Sequence, residues 1–144
     1  MTIQTKKLRP NATLPTYGSE FAAGADLYAC LDAPVIIEPR QTVMIPTGFA
    51  FAIPVGLAGF IYARSSLGSK RGLAPANKVG IIDSDYRGEV MVALHNHGTE
   101  AQTIAPNERI AQMVIAPYIA AQFEVSEELP DSERGMGGFG STGK

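Results

Sequence analysis

The sequence lacks several features that mark common classes of protein. It has no tryptophan and a single cysteine, Cys30, so neither an intrachain disulfide nor a Cys-x-x-Cys metal site can form. It has no run of about 18 apolar residues, which argues against a membrane-spanning helix, and its N-terminal segment contains no apolar signal region. With 12 Lys and Arg against 14 Asp and Glu, it lacks the basic excess of a duplex-binding protein. We expect a cytoplasmic protein with no nucleic-acid or membrane partner.

The composition favours a fold built from strands. The chain has 144 residues, of which 45% are hydrophobic, and this size suits one domain. Its 15 glycines and 10 prolines are spread along the sequence, a pattern typical of short strands joined by turns. We predict an all-β fold that is a distorted jelly roll or resembles a β-barrel, with at most one short helix.

Period-two alternation locates the predicted strands. Val90, Val92 and Leu94 share one face of a segment that runs from Glu89 to Asn96. The same reasoning predicts strands within residues 35–53, 57–62, 109–115 and 121–125. The short helix is predicted near residues 65–70, where Ser65 or Ser66 could cap its first turn.

The composition changes near residue 126. Residues 1–125 are predicted to form a β-rich core, and residues 126–144 an acidic linker and a flexible, glycine-rich C-terminal arm of the same domain. One interpretation of the arm is a disordered tail. Glycine-rich backbone beside Ser, Thr and a cation is also typical of phosphate binding, and the lone Phe139 could cover a flat ring.

Two segments contain carboxylates that could do chemistry. Asp26 lies between small and apolar residues, as a turn aspartate often does. Asp83 and Asp85 follow an apolar run and precede Tyr86. They could form an acidic hairpin tip, or one of them could activate a water molecule while the other holds the turn.

Polar residues next to predicted strands suggest contacts with phosphate. Arg64, Ser65 and Ser66 directly follow an apolar strand, where they could bind phosphate oxygens or simply begin a helix. Gln112 lies inside an apolar strand. Its amide needs a partner if it is buried, and otherwise it faces outward.

The remaining candidates favour ordinary structural roles. His95 and His97 form a His-x-His pair, but the sequence offers no evident third metal ligand. Cys30 has no neighbour that would activate a thiol, so we expect it to be a small core residue.

A resemblance to a known family rests on five segments. In chain order they are AGADLYA, ARSSLGS, GIIDSDYRGE, ERIAQM and RGMGGFGSTG. From about Leu8 to Lys144 the chain closely resembles the trimeric deoxyuridine triphosphate nucleotidohydrolases, the dUTPases. Each segment alone is weakly specific, but all five in this order and spacing are very specific.

The resemblance implies a homotrimer with active sites at subunit junctions, each closed by the C-terminal arm of another subunit. It implies hydrolysis of dUTP to dUMP and pyrophosphate, with Mg²⁺ on the triphosphate. No direct protein ligand to the metal is expected, and Asp26 would contact it through water.

The resemblance also assigns roles to individual residues. Asp83 would orient and deprotonate the attacking water, with Asp26 and Gln112 completing the catalytic set. The expected phosphate ligands are Arg64, Ser65, Ser66, Gln112, Arg134, Ser141 and Thr142. The expected contacts of uracil and deoxyribose are Asn77, Gly80, Asp83, Tyr86 and Phe139.

Two alternatives stay open at this point. A dCTP deaminase of the same fold often has Arg-Ser-Ser in the second segment, as here, where many dUTPases have Gly in place of Ser66. That enzyme needs a Glu at the position of Ala93. The other alternative is a binding module without catalysis, against which the intact set of site residues argues.

Overall fold

The computed structural model describes residues 1–138. Three predicted site residues of the arm, Phe139, Ser141 and Thr142, lie outside the described residues. The strands are β1 (Gln4–Lys7), β2 (Thr16–Tyr17), β3 (Ala25–Tyr28), β4 (Val35–Ile37), β5 (Thr42–Pro46), β6 (Phe49–Ala52), β7 (Leu57–Tyr62), β8 (Leu73–Pro75), β9 (Gly80–Ile82), β10 (Met91–Asn96), β11 (Gln102–Ile104) and β12 (Arg109–Pro117). The helix α1 spans Ser65–Arg71.

Short antiparallel sheets make up the fold. The largest has the order β2-β3-β12-β7-β9, a second has the order β5-β10-β8, and two-stranded sheets pair β1 with β6 and β4 with β11. The prediction of an all-β fold with one short helix is confirmed. Within residues 1–138 the sheets stay open and do not close into a barrel.

The core follows from strand alternation. Val92 and Leu94 of β10 are buried, while Met91 on the opposite face is exposed. Asn96 ends this buried face and is fully enclosed. Its amide nitrogen donates to the carbonyl oxygens of Ile37 and Glu100 at 2.9 and 2.8 Å, so the burial of this polar side chain is compensated.

The strand β12 positions most of the site. It lies between β3 and β7, and its Gln112 is the register partner of Asp26 on one side and of Tyr62 on the other. A register shift between Arg109 and Ala111 bends the start of the strand. These pairings bring residues that are far apart in sequence to one place on the sheet.

The helix differs from the prediction in its cap. Arg64 is the N-cap residue in an extended conformation, and it makes no side-chain capping hydrogen bond. The prediction that Ser65 or Ser66 caps the helix is therefore wrong, because both residues lie inside its first turn. The helix ends at Arg71, and the capping residue Gly72 has a φ of 64°, the left-handed conformation that glycine adopts easily.

The predicted strand at residues 121–125 is not formed. From residue 118 to residue 138 the backbone contains no strand or helix. The apolar side chains of Ile119, Phe123 and Val125 are 93%, 95% and 100% exposed. An alternating segment becomes a strand only when a sheet edge pairs with it, and no described element does so here. Within the described residues, no helix has the length and apolar character to cross a membrane.

Candidate active site

Asp26 is at the centre of a polar cluster on the largest sheet. It is 8% exposed on β3. Arg64 donates from Nε to Asp26 Oδ1 at 2.8 Å, and Arg109 donates from Nη1 to Asp26 Oδ2 at 3.1 Å. Each carboxylate oxygen thus has its own cationic partner, which offsets the cost of burying the charge.

Gln112 lies against the same cluster. Its Nε2 donates to the carbonyl oxygen of Ala63 at 2.9 Å, so the amide is oriented by the chain segment just before Arg64. A Cβ at Gly24 would lie 2.7 Å from Gln112 Oε1, so any other residue there would displace the amide from its present position. These residues surround a cavity of about 170 Å³, which we call the Asp26 pocket. Its lining residues are Gly18, Ala22, Gly24, Asp26, Arg64, Ser65 and Gln112.

Asp83 lies in a different setting. It follows β9 at the start of the loop of residues 83–89, the Asp83 loop, and its side chain is exposed. The amide of Tyr86 donates to the carbonyl oxygen of Asp83 at 3.2 Å, and the Tyr86 hydroxyl donates to the carbonyl oxygen of Glu89 at 3.0 Å. Asn77 lies before the strand, where its Nδ2 would be 3.4 Å from a Cβ at Gly80.

Two cavities adjoin Asp83. The first, of about 240 Å³, is lined by Met44, Ile81, Ile82, Asp83, Tyr86, Glu89, Val90 and Met91. The second, of about 250 Å³, is lined by Ala58, Phe60, Ile81, Asp83 and Tyr118. Neither has a lining residue in common with the Asp26 pocket. Within the described residues of one chain, the predicted catalytic carboxylates therefore line separate cavities.

The structure thus divides the predicted site residues into groups. Asp26, Arg64, Ser65 and Gln112 come together around one pocket. Asp83 and Tyr86 share a second cavity, beside β9 with its Gly80. Ser66 is exposed on the first turn of α1 and does not line the Asp26 pocket. Arg134 is exposed at the start of the glycine-rich arm, where its Nε donates to the carbonyl oxygen of Gly137 at 2.7 Å.

Sequence reasoning missed Arg109. Its guanidinium contacts a carboxylate 83 positions earlier in the chain. No local pattern reveals such a pairing, because it depends on the antiparallel register of β3 and β12. The only available signal was that Arg109 begins the same strand as Gln112.

The histidine pair lies outside both groups. The rings of His95 and His97 are in edge-to-face contact with centroids 4.4 Å apart, and His95 Nδ1 lies 2.8 Å from Thr42 Oγ1. Among residues 1–138, no three His, Cys, Asp or Glu side chains are grouped to hold a metal ion. Partial desolvation lowers the pKa of His97, and the positive charges of Lys78, His95 and Arg40 lower this pKa further.

Cys30 belongs to the core. It is 4% exposed, and its Sγ donates to Asn11 Oδ1 at 3.0 Å. Burial raises the pKa of this thiol, which disfavours the reactive thiolate. These observations agree with the structural role expected from the sequence.

Comparison with known proteins identifies the family of the chain. The family model for dUTPase matches residues 10–143. A deoxyuridine 5'-triphosphate nucleotidohydrolase of Hahella chejuensis is 51% identical over 139 residues, covering 96% of this chain and 91% of that protein. One of Methylibium petroleiphilum is also 51% identical, covering 99% of this chain and 98% of that protein.

Solved structures show the same fold. The dUTPase of Staphylococcus bacteriophage 80alpha with dUpNHpp has a TM-score of 0.90 at 30% identity and covers 99% of both chains. A mutant dUTPase from phage phi11 of S. aureus, described in terms of the coordination of a structural Mg(II) ion, has a TM-score of 0.79 at 25% identity. It covers 89% of this chain and 98% of the phage chain. The match over nearly the whole length shows that this chain belongs to the dUTPase family.

Proposed function

We propose that the protein is a dUTP diphosphatase, which hydrolyses dUTP to dUMP and pyrophosphate. The observation that carries the proposal is the Asp26 pocket, where an arginine, a serine hydroxyl and a fixed amide converge in a chain of the dUTPase family. Such a reaction limits the uracil incorporated into DNA and supplies dUMP for thymidylate synthesis. The expected cytoplasmic location remains a prediction.

The Asp26 pocket suits a triphosphate. Arg64 uses Nε to bind Asp26, so donors of its guanidinium remain for phosphate oxygens. Ser65 adds a hydroxyl, and the exposed Ser66 would approach only from the outer side of α1. Gln112 keeps one N–H and its Oε1 after bonding Ala63, and we place it near the α-phosphate and the attacking water.

The carboxylate of Asp26 suits an Mg²⁺ ion that is bound mainly by the substrate and contacts the protein through water. A carboxylate has about four acceptor positions, and the two arginines occupy one on each oxygen of Asp26. The remaining positions can accept hydrogen bonds from water bound to the metal. When bound, Mg²⁺ neutralises charge on the triphosphate. Arg109 keeps Asp26 oriented for this contact.

Asp83 is the proposed general base. Its exposed carboxylate accepts a proton from a water molecule as the water oxygen forms a bond to the α-phosphorus. The bond between the α-phosphorus and the bridging oxygen breaks, and pyrophosphate leaves with the bonding electrons. Assistance of this kind is worth about 10²–10⁴-fold in rate.

The cavity beside Asp83 is the proposed nucleoside site. Asn77 and the main chain around Gly80 would bind uracil. Uracil has a donor at N3 and an acceptor at O4, whereas cytosine has an acceptor at N3 and an amino donor at the 4-position. The Tyr86 ring would pack on the deoxyribose and leave no room for a 2'-hydroxyl. Phe139 of the arm would stack on uracil, an interaction worth roughly 1–3 kcal/mol.

A second copy of the chain would unite the two groups of residues. Because Asp83 and Asp26 line cavities with no common residue, we propose that each active site forms between subunits of a homotrimer. The exposed apolar side chains of Ile119, Phe123 and Val125 support burial against another chain. Arg134, Ser141 and Thr142 of an arm would then bind the terminal phosphate.

Mixing two inactive variants tests this arrangement. Asp83→Asn and Arg64→Ala chains, unfolded and refolded together, would give hybrid trimers in which some sites contain only intact residues. We expect each variant to be nearly inactive and the mixture to recover a measurable fraction of activity. A refolded mixture no more active than the separate variants would contradict sites shared between subunits. Light scattering would report the number of subunits.

Two other functions are less well supported. The position where dCTP deaminase needs a Glu is Ala93, whose carbonyl oxygen accepts a hydrogen bond from the amide of Ala76 at 2.7 Å in strand β10. Its side chain carries no carboxylate to move protons at a cytosine amine. The intact set of polar residues in the Asp26 pocket also argues against a module that only binds.

Product analysis tests the function. The purified chain is incubated with Mg²⁺ and either dUTP or dCTP, and the nucleotides are separated by chromatography. We expect dUMP and pyrophosphate from dUTP, with dCTP unchanged. Formation of dUTP or dUMP from dCTP would favour the deaminase, and two unchanged nucleotides would favour a binding module.

A further inference from the structure

The Tyr86 ring is held mainly through Glu89. The Tyr86 hydroxyl donates to the carbonyl oxygen of Glu89 at 3.0 Å, and the ring lies against Gly88 so closely that a Cβ there would clash with the hydroxyl. The Tyr86 residue is 43% exposed, so core packing does not immobilise its side chain. The position of Tyr86 therefore depends on how firmly residues 88 and 89 are held.

The Glu89 side chain is fixed by three donors. Arg9 donates from Nε to Oε1 at 2.9 Å and from Nη2 to Oε2 at 3.1 Å. The amide of Gly48 donates to Oε1 at 2.9 Å. A bidentate arginine contact restricts both distance and orientation of a carboxylate. The Glu89 side chain is 19% exposed and the Arg9 side chain 45%, so water reaches the pair mainly from the arginine side.

The anchor point at Gly48 is itself rigid. Gly48 has a φ of 77°, and a Cβ there would clash with Ala12 and approach Cys30 Sγ to 2.9 Å. Its carbonyl oxygen accepts a hydrogen bond from the amide of Leu8 at 2.8 Å. The residue before Arg9 is thus tied to the same glycine that binds Glu89.

We propose that the Arg9–Glu89 ion pair, here called the clamp, is a positioning element that sets the discrimination between deoxyribose and ribose by fixing Tyr86. The inference rests on the proposed function, because it concerns the sugar of the same substrate. Without Arg9, Glu89 keeps one of its three donors, and residues 86–89 gain conformations in which the ring moves away from the sugar. The 2'-hydroxyl of a ribonucleotide would then have less steric conflict with the ring.

Steady-state kinetics with dUTP and UTP test the clamp. In Arg9→Ala we expect the ratio of kcat/KM for dUTP to kcat/KM for UTP to fall about fivefold, the effect of losing one well-oriented ion pair. We expect the change mainly in KM, since Arg9 does not touch the reacting atoms. Arg9→Lys should restore part of the ratio, and Lys7→Ala, a neighbouring charge change on β1, should leave it unchanged.

Hydrogen exchange provides a readout that does not depend on activity. The amide of Tyr86 should exchange faster in Arg9→Ala than in the unaltered chain, while amides of β7 should not change. If the unaltered protein hydrolyses neither nucleotide, the proposed function fails and this comparison still tests the clamp. An unchanged nucleotide ratio, a parallel loss with both nucleotides, or unchanged exchange of Tyr86 would overturn the proposal. If Arg9→Ala does not fold, Arg9→Lys takes its place. A ratio of the two kcat/KM values in Arg9→Lys that equals the ratio in the unaltered protein would then overturn the proposal.

Discussion

The two predicted catalytic carboxylates, Asp26 and Asp83, lie in contrasting surroundings. Asp26 is buried in a strand, and each of its oxygens accepts a hydrogen bond from an arginine. Asp83 is exposed at the start of a loop and forms no ion pair with any of the described residues. The first environment holds a carboxylate in a fixed orientation, whereas the second leaves its acceptor positions open to water. The same residue type can therefore support a site in one place and do chemistry in another.

Asp83→Asn should separate the two roles most clearly. The amide cannot accept the proton, so we expect kcat to fall by about 10²–10⁴-fold. The free energy of unfolding should stay within about 0.5 kcal/mol, as for other exposed substitutions. Initial rates with dUTP and urea denaturation measure the two effects. A turnover close to that of the unaltered enzyme would reject Asp83 as the base.

Asp26→Asn should lower stability more than Asp83→Asn does. Two arginines would lose a charged acceptor, and we expect the free energy of unfolding to fall by roughly 1–3 kcal/mol. Urea denaturation measured beside Asp83→Asn provides the comparison. Equal stabilities of the two variants would show that the arginine contacts contribute little.

Gly24→Ala tests the shape of the Asp26 pocket without changing a charge. The new methyl would displace Gln112, because its Cβ would lie 2.7 Å from Oε1. We expect kcat/KM for dUTP to fall about tenfold, which corresponds to about 1.4 kcal/mol. Gly18→Ala is the matched control, since Gly18 lines the same pocket and a Cβ there meets nothing within 4 Å. Similar losses in both variants would contradict the steric explanation.

The smallest expected effect concerns the pKa of His97, which three neighbouring positive charges lower. Partial desolvation and the cations Lys78, His95 and Arg40 hold its pKa below the ordinary 6.5. The folded state then binds fewer protons than the unfolded state, so the contribution of His97 to stability is present above pH 6.5 and is lost as the pH falls through its folded pKa. Lys78→Gln should raise this pKa, and Lys70→Gln on α1 should not. An NMR titration of the His97 ring measures this pKa in each variant. Equal pKa changes in the two variants would show that Lys78 is not a specific cause of the lowered pKa.

Much of the fold could be predicted because it depends on local patterns. The strand at residues 57–62 follows from its apolar run, and the buried face of β10 follows from alternation. Residues 121–125 show the limit of this reasoning. Their alternation is suitable for a strand, but strand formation also needs a free edge that the sequence does not reveal.

The sequence predicted which residues belong to the site, but not how these residues are grouped in space. The segments identified Asp26, Arg64 and Gln112, which the structure brings together. The contact of Arg109 with Asp26 depends on the pairing of β3 with β12, and the separation of Asp83 from that pocket depends on the path of the sheets. Both are consequences of tertiary structure. The roles of all these residues stay predictions until they are tested.

The environment of Cys30 has a practical consequence for spectroscopy. The chain contains one cysteine, and its thiol is enclosed and protonated more firmly than a free thiol. The natural protein therefore has a low background for maleimide dyes and spin labels. A cysteine introduced at the fully exposed Met136 would react first, so a label there could report on the surroundings of this segment when nucleotide is added, without removal of the native thiol.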